Sequence, residues 1–179
     1  MKKHSCGALL YTIYNNSIYI ILGMEKGVWF PFKGTREKGE TNEQAAIREI
    51  YEETCGITKI DRIELNCNFS TKRKHYHIGL IRVPPSIVNQ FYKIKEQIYR
   101  VNGYNDNCYK YLEKSNIKMF PLSAVKNINF HEVTKIPIKF YYDHLKMIEN
   151  NLRKKKLTYS SKSSSIYHMC LNQIRTLTF

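Results

Sequence analysis

Acidic residues are scarce in this chain: 15 Asp and Glu stand against 29 Lys and Arg, a formal net charge of +14 at pH 7. Long apolar runs are missing too, and without a run of about 18 apolar residues no membrane span is expected. The five cysteines, at positions 6, 55, 67, 108 and 170, are odd in number, scattered and nowhere spaced C-x-x-C. That pattern argues against a disulfide framework or a zinc site and for reduced thiols in a cytosolic setting. Buried packing is the expected fate of Cys55, with a helper role beside the acidic residues as the alternative. No internal repeat is present. The opening MKKHSCGALLYTIYNNSIYIILG has the charged start and apolar stretches of a signal peptide. Asn15, Asn16 and Ser17 break those stretches and no small-residue cleavage site follows, so two strands joined by a turn are expected instead.

What is present suffices for one domain with a core: 179 residues, 42% of them hydrophobic. Charge is unevenly spread. Residues 1–64 carry nine Lys/Arg and nine Asp/Glu, whereas 65–179 carry twenty against six. A neutral first third and a basic remainder point to a polyanionic partner for the second part, the alternative being solubility alone.

The pattern predicts a β-hairpin from strands 6–14 and 17–23, with Asn15-Asn16 in a left-handed turn. A loop, MEKGVWFPFKG, follows. Thr41 and Gln44 form a capping-box pair, which places a helix at about 42–54. Strands are expected at 62–71 and 76–83, linked by KRKH and closed by Pro84-Pro85. Residues 86–116 read as a long connection: a basic amphipathic helix, then a polar, Tyr-rich loop or short helix. A strand at 117–122 precedes a helix over 134–156, with Pro137 in its first turn. The domain is therefore expected at 1–156, with 86–116 as a basic, aromatic insertion and 157–179 as a mobile, basic, Ser-rich tail. Mixed strands with a central and a terminal helix give an α+β class.

Against this basic background, eight acidic residues fall between Glu37 and Glu64. On the helix, Glu49, Glu52 and Glu53 stand at i, i+3 and i+4, so their carboxylates share one face. Three close carboxylates repel and raise one another's pKa, a penalty that a divalent cation removes. Oxygen-only ligands select Mg²⁺ or Mn²⁺ over zinc. Arg48 can pair with Glu52 or reach Glu40 and so fix the carboxylates. An ordinary solvated acidic face is the alternative that E-x-x-E-E alone leaves open.

Gly34, Glu40 and Arg48-Glu49-Ile50-Tyr51-Glu52-Glu53, at their spacing, resemble the Nudix box, G-x5-E-x7-R-E-U-x-E-E-x-G-U, where U is aliphatic. The one departure is an extra residue, since both Thr54 and Cys55 precede Gly56-Ile57. It bears on the helix exit rather than on the carboxylates. The resemblance implies the Nudix fold, a mixed β-sheet sandwiched between α-helices, and a metal-dependent hydrolase that cleaves nucleoside diphosphates linked to another moiety. It makes Glu49, Glu52 and Glu53 metal ligands and catalytic groups, one of them a general base. The Gly34 carbonyl becomes a further ligand, and Arg48 and Glu40 become orienting groups.

Trp29-Phe30-Pro31-Phe32-Lys33-Gly34 resembles the W-x-x-P-K-G of the decapping, dinucleoside polyphosphate and diphosphoinositol polyphosphate branches, with Pro one position early. Lys33 is then a phosphate contact, and Trp29 either stacks on a base or packs in the core. KHYHIGLIRV at 74–83 looks like a strand of large-DNA-virus decapping enzymes, and the Lys, Asn, Ile and Tyr bias suits an AT-rich, viral source. The leading expectation is mRNA decapping: cleavage of the cap's triphosphate bridge into m7GDP and 5′-monophosphate RNA, in the cytoplasm. Capped RNA would be held by Lys72, Arg73, Lys74, Lys93, Lys95, Arg100, Arg153, Lys154, Lys155 and Lys156, with aromatic residues of 91–111 stacking on bases. A hydrolase of dinucleoside polyphosphates or diphosphoinositol polyphosphates is the alternative, and an RNA-binding module on an inactive Nudix scaffold is a second. The sequence does not fix the oligomeric state.

Overall fold

The computed structural model describes the backbone of residues 2–102 and 109–175, and the side chains of residues 2–101 and 110–154. Strand β1 (Lys3–Tyr14) turns into β2 (Ser17–Glu25) through Asn15 and Asn16, at φ 49° and 58°. Two consecutive left-handed residues make the type I′ geometry whose twist matches a hairpin. Lys26 and Gly27, at φ 49° and 78°, repeat the device and lead into β3 (Val28–Phe30), paired Glu25↔Val28. After Pro31, β4 (Phe32–Thr35) pairs antiparallel with β1. The stretch expected as a loop is thus strand, and Gly7 makes room for it: a side chain there would overlap the Phe32 carbonyl.

Helix α1 (Asn42–Glu53) opens on the expected capping box, with Gln44 N–H donating to Thr41 Oγ1 at 3.2 Å and Thr41 N–H to Gln44 Oε1 at 2.8 Å. The inserted residue resolves its exit. Gly56 N–H reaches the Tyr51 carbonyl at 2.7 Å and Cys55 N–H the Glu52 carbonyl at 3.0 Å. This is the paired closure in which the residue after the cap turns left-handed. Cys55 takes that position at φ 55° and Gly56 follows at 76°.

β5 (Cys67–Ser70) is shorter than expected, and β6 (Lys74–Arg82) follows it. Ile63 and Leu65 keep the alternating burial of a strand, but they join the core without joining the ladder. Helix α2 (Ile87–Asn102), the short α3 (Tyr109–Leu112), β7 (Asn116–Pro121), a 3-10 turn (Val125–Asn127) and α4 (Glu132–Arg175) complete the described elements. α4 begins earlier than expected, which puts Pro137 inside it, and it runs past 156 to Arg175. Residues 103–108 of the insertion and the side chains beyond Lys154 lie outside the described residues.

The sheet runs β3-β2-β1-β6-β5, with β4 also on β1 and β7 also on β2. The β1–β6 pair is parallel and the rest antiparallel, the expected mixed sheet. Alternation along β1 buries both of its faces. Cys6, Ala8 and Leu10 meet Ala45, Ala46 and Ile50 of α1 with Ile87 and Phe91 of α2, while Leu9 lies in the cluster of Ile138, Tyr141 and Leu145 of α4. Tyr141 fixes α4 to the sheet, its hydroxyl donating to the Ile78 carbonyl at 2.8 Å. No described helix is long and apolar enough to cross a membrane.

Candidate active site

The helical spacing of α1 and the neighbouring β4 bring the predicted residues together. Arg48 is the organising group. Its Nε lies 2.7 Å from Glu40 Oε1, and its Nη1 lies 2.8 Å from Glu49 Oε1 and 3.1 Å from Glu52 Oε2. Its Nη2 donates to the Thr35 carbonyl at 3.1 Å, tying the helix to the strand before it. The hydrogen bond from Arg48 holds the Glu40 carboxyl below the ordinary range. Burial raises that of Glu49 against the pull of Arg48. Gly34 is needed for space: a side chain there would overlap the Glu49 carboxylate.

Glu53 lies deeper, 1% exposed. Its Oε2 accepts from Lys33 N–H at 2.7 Å, and its Oε1 faces Lys114 Nζ at 2.8 Å without hydrogen-bond geometry. Burial pushes this carboxyl up despite Lys114. Lys114 itself is buried between Glu53 and Glu25, the latter at 3.2 Å. Burial opposes its charge, but the two carboxylates hold the ammonium above its ordinary value. Lys110 reaches Glu52 Oε1 at 3.0 Å.

Several of these partners were not read from the sequence. Among the described residues, the carboxylates of Glu25, Glu53 and Glu113 lie within 4.8 Å of one another. Only Glu53 of that group belongs to the predicted set. Lys110, Glu113 and Lys114 come from the polar stretch after α2, where no local spacing marks them. Around the site Glu25, Glu40, Glu49, Glu52, Glu53 and Glu113 are interleaved with Lys33, Arg36, Arg48, Lys110 and Lys114. The donor set is all oxygen, and buried Glu53 Oε1 lacks a hydrogen bond, so the residues fit a hard divalent cation.

Alternation on β3 turns Phe30, not Trp29, toward the lysines: Lys33 Nζ lies 4.7 Å and Lys114 Nζ 5.9 Å from the Phe30 ring centre. Trp29 packs edge-on against Phe120, 5.2 Å between centroids, on the other face. Burial and Lys114 push the Lys33 ammonium down.

The predicted RNA contacts divide. Lys72 and Arg73 are exposed in the β5–β6 turn, and Lys74 Nζ reaches Thr35 Oγ1 at 3.5 Å, beside the start of the acidic segment. Lys93 and Lys154 are also exposed. Lys95 is engaged inside, its Nζ donating to the Lys114 carbonyl at 2.6 Å. Arg100 pairs with Glu96 and Arg153 with Glu149. Lys155 and Lys156 lie outside the described side chains. Of the aromatic residues in 91–111, Phe91 is core and Tyr92 donates its hydroxyl to the Ile117 carbonyl at 3.0 Å.

Comparison with known proteins adds resemblances. Residues 7–92 match the NUDIX domain. No curated protein matches the chain. Among solved structures, the chain is similar to the NUDIX domain of Shewanella oneidensis NrtR complexed with ADP ribose, at 16% identity and a TM-score of 0.51, over 88% of this chain and 89% of that one. It is also similar to MutT, from a study of the Aliivibrio salmonicida and Vibrio cholerae proteins, at 17% identity and 0.50, over 76% and 92%. A C. elegans Ap4A hydrolase aligns at 23% identity and 0.48, over 89% and 98%. For the first two the likeness is one of fold.

Proposed function

We propose that this chain, whose residues 7–92 match the NUDIX domain, is a divalent-metal-dependent pyrophosphohydrolase of that family that cleaves the polyphosphate bridge of a nucleotide substrate. The observation that carries this reading is Arg48, bonded at once to Glu40, Glu49 and Glu52 beside the buried Glu53. Glu49, Glu52, Glu53 and the Gly34 carbonyl would hold Mg²⁺ or Mn²⁺. When bound, the ion neutralises bridging phosphate charge and lowers the pKa of a water. Arg48 keeps Glu49 and Glu52 oriented, and one of the carboxylates accepts the proton of the attacking water. Lys33, beside Glu53, contacts a phosphate as a point charge.

Capped RNA is the substrate we favour, with m7GDP and 5′-monophosphate RNA as products. The support is the exposed Lys72 and Arg73 in the β5–β6 turn with Lys74 beside them reaching Thr35, which would offer an RNA body phosphate contacts next to the cleavage site. The second reading is a dinucleoside or diphosphoinositol polyphosphate hydrolase. It is favoured by Lys33 and Lys110, cations beside the site carboxylates that would act on a phosphate chain with or without RNA attached.

The deciding experiment offers purified protein capped RNA, free cap analogue, diadenosine tetraphosphate and a diphosphoinositol polyphosphate, with Mg²⁺ or Mn²⁺. For decapping, capped RNA is cut fastest and its binding falls steeply with salt. Neutralising Lys72, Arg73 and Lys74 flattens that slope while cap-analogue cleavage stays. Faster cutting of a small substrate selects the second reading. No hydrolysis of any of the four overturns both.

A further inference from the structure

Arg36 lies just past β4. Among the described residues its bonds go to neutral groups: Nη1 donates to Asn42 Oδ1 at 3.0 Å and its N–H to the His4 carbonyl at 3.0 Å. The parallel register of β1 and β6 sets His4 opposite His75 and Cys6 opposite His77. Alternation puts His4 on the face of β1 that Cys6 turns toward α1. Arg36, His4, His75 and His77 therefore gather where that face ends, beside the start of α1. Lys74 borders them, its Nζ 3.5 Å from Thr35 Oγ1, one residue before Arg36. The proposed hydrolysis uses none of the three histidines.

We propose that Arg36 and His4, with Lys74 at their edge, form an auxiliary phosphate site separate from the metal-binding carboxylates. It rests on the polyphosphate-substrate reading above, and it takes a phosphate remote from the scissile bridge. That phosphate is an RNA phosphodiester or a ring phosphate of a diphosphoinositol polyphosphate.

A chain of hydrogen bonds fixes the tautomer of His4. Asn68 Nδ2 donates to the Leu65 carbonyl at 3.0 Å, which turns Asn68 Oδ1 toward His77 Nδ1 at 2.7 Å. A carbonyl oxygen only accepts, so His77 Nδ1 carries the proton and Nε2 is bare. His77 Nε2 lies 2.9 Å from His4 Nδ1, which therefore donates to it. Neutral His4 is left with its lone pair on Nε2, and a lone pair repels an anion. A proton taken from solvent at Nε2 makes it a charged donor. The same chain supports the imidazolium, because a charged donor makes the stronger bond to His77. Before a ligand binds, partial burial, Arg36 and His75 hold His4 below its ordinary value. Burial, His4, His75 and Arg36 do the same to His77, with Glu43 opposing. Glu43 is bonded at the start of α1 and Glu40 is held by Arg48. Burial pushes the neighbouring Cys6 thiol up to about 11, so it stays neutral. An anion beside Arg36 and His4 offsets the repulsion between them, which links phosphate binding to proton uptake. Affinity rises as pH falls through the bound value of His4, and levels off below the free one, which lies under 6.5.

The test uses the full chain in chelator, so that nothing is hydrolysed, with short 5′-monophosphate RNA and inositol hexakisphosphate as separate probes. The His4 imidazole is titrated by NMR with and without each probe, and affinity is measured across the same pH range. The pKa of His4 is expected to rise on binding, and affinity to gain up to about tenfold per pH unit. His4→Gln removes that pH dependence. Arg36→Gln, which keeps an amide donor for Asn42, weakens binding at every pH and lowers the RNA salt slope by about one phosphate contact. A rise with RNA supports the site and the capped-RNA reading. A rise with inositol hexakisphosphate alone supports the site and the second reading. A His4 pKa unmoved by both probes, or a folded Arg36→Gln that binds as tightly as wild type, would overturn the site; the wild-type titration decides even where a variant fails to fold. That failure leaves the pyrophosphohydrolase reading to stand or fall on cleavage in Mg²⁺ or Mn²⁺, which needs neither residue.

Discussion

Glu53 and Glu149 are each 1% exposed and each has a lysine beside it, yet Glu53 lies deeper and their carboxyls shift in opposite directions. Glu149, on α4, is satisfied at both oxygens. Oε1 accepts from Ile18 N–H at 3.1 Å, and Oε2 meets Lys146 at 2.7 Å and Arg153 at 3.3 Å. Burial would raise its pKa, but the bonds from Lys146 and Ile18 win and hold it below the ordinary range. At Glu53 burial wins instead, and Oε1 has an ion pair without a hydrogen bond. A buried carboxylate that merely staples a helix to a hairpin is given every partner it can use. The one in the acidic site has a partner at each oxygen too, but burial and the nearby Glu113 oppose its charge, a condition that a hard cation relieves.

The contrast can be broken most severely at Lys114. Lys114→Met leaves Glu53 buried without its counter-charge, and a loss of about 3–5 kcal/mol is expected in denaturant unfolding. Added Mn²⁺ should restore much of it; no restoration would argue against cation binding at Glu53. Next in size is Glu53→Gln, which keeps shape and the Lys33 N–H bond while Lys114 retains Glu25. Hydrolysis should fall by at least about two orders of magnitude with little change in melting temperature. Near-normal turnover would remove Glu53 from the active site. Glu149→Gln is the mirror case: stability should fall by about 1–3 kcal/mol, and the kcat of the folded protein should stay. A smaller and more graded effect is expected with pH. Because the Glu149 pKa is depressed on folding, its contribution is present above the ordinary carboxylate value of about 4.3 and is lost as pH falls through the lower folded value. Wild type should therefore lose stability more steeply than Glu149→Gln below about pH 4.3. Parallel curves would mean that the two staple bonds contribute nothing through charge.

The same pair of residues shows what could be read in advance. Glu53 was legible because its neighbours at i−4, i−1 and Arg48 lie on one helix, where spacing alone sets the face. Glu149 was not, because its partner Ile18 is 131 residues away and the end of a helix announces nothing about the hairpin beneath it. β3 and β4 escaped for a related reason. Pro31 and the glycines at 27 and 34 read as loop punctuation, whereas one supplies a tight turn and the other a close approach. The extra residue before Gly56 looked like a defect in the box, and the backbone absorbs it by putting Cys55 in a left-handed position.

By itself the sequence determined what is local: the Asn15-Asn16 turn, the Thr41–Gln44 cap, and the Gly34, Glu40, Arg48, Glu49, Glu52 and Glu53 constellation. Each rests on bonds between residues a few positions apart, or on a loop short enough to have little freedom. Only the tertiary structure decided that Glu25, Lys110, Glu113 and Lys114 close around Glu52 and Glu53, that Phe30 rather than Trp29 faces the lysines, and that Lys95 points inward. Those outcomes depend on how β2, α3 and β7 pack against α1, and packing of distant segments is chosen by the whole core, since burial is non-directional and leaves no mark at any one position.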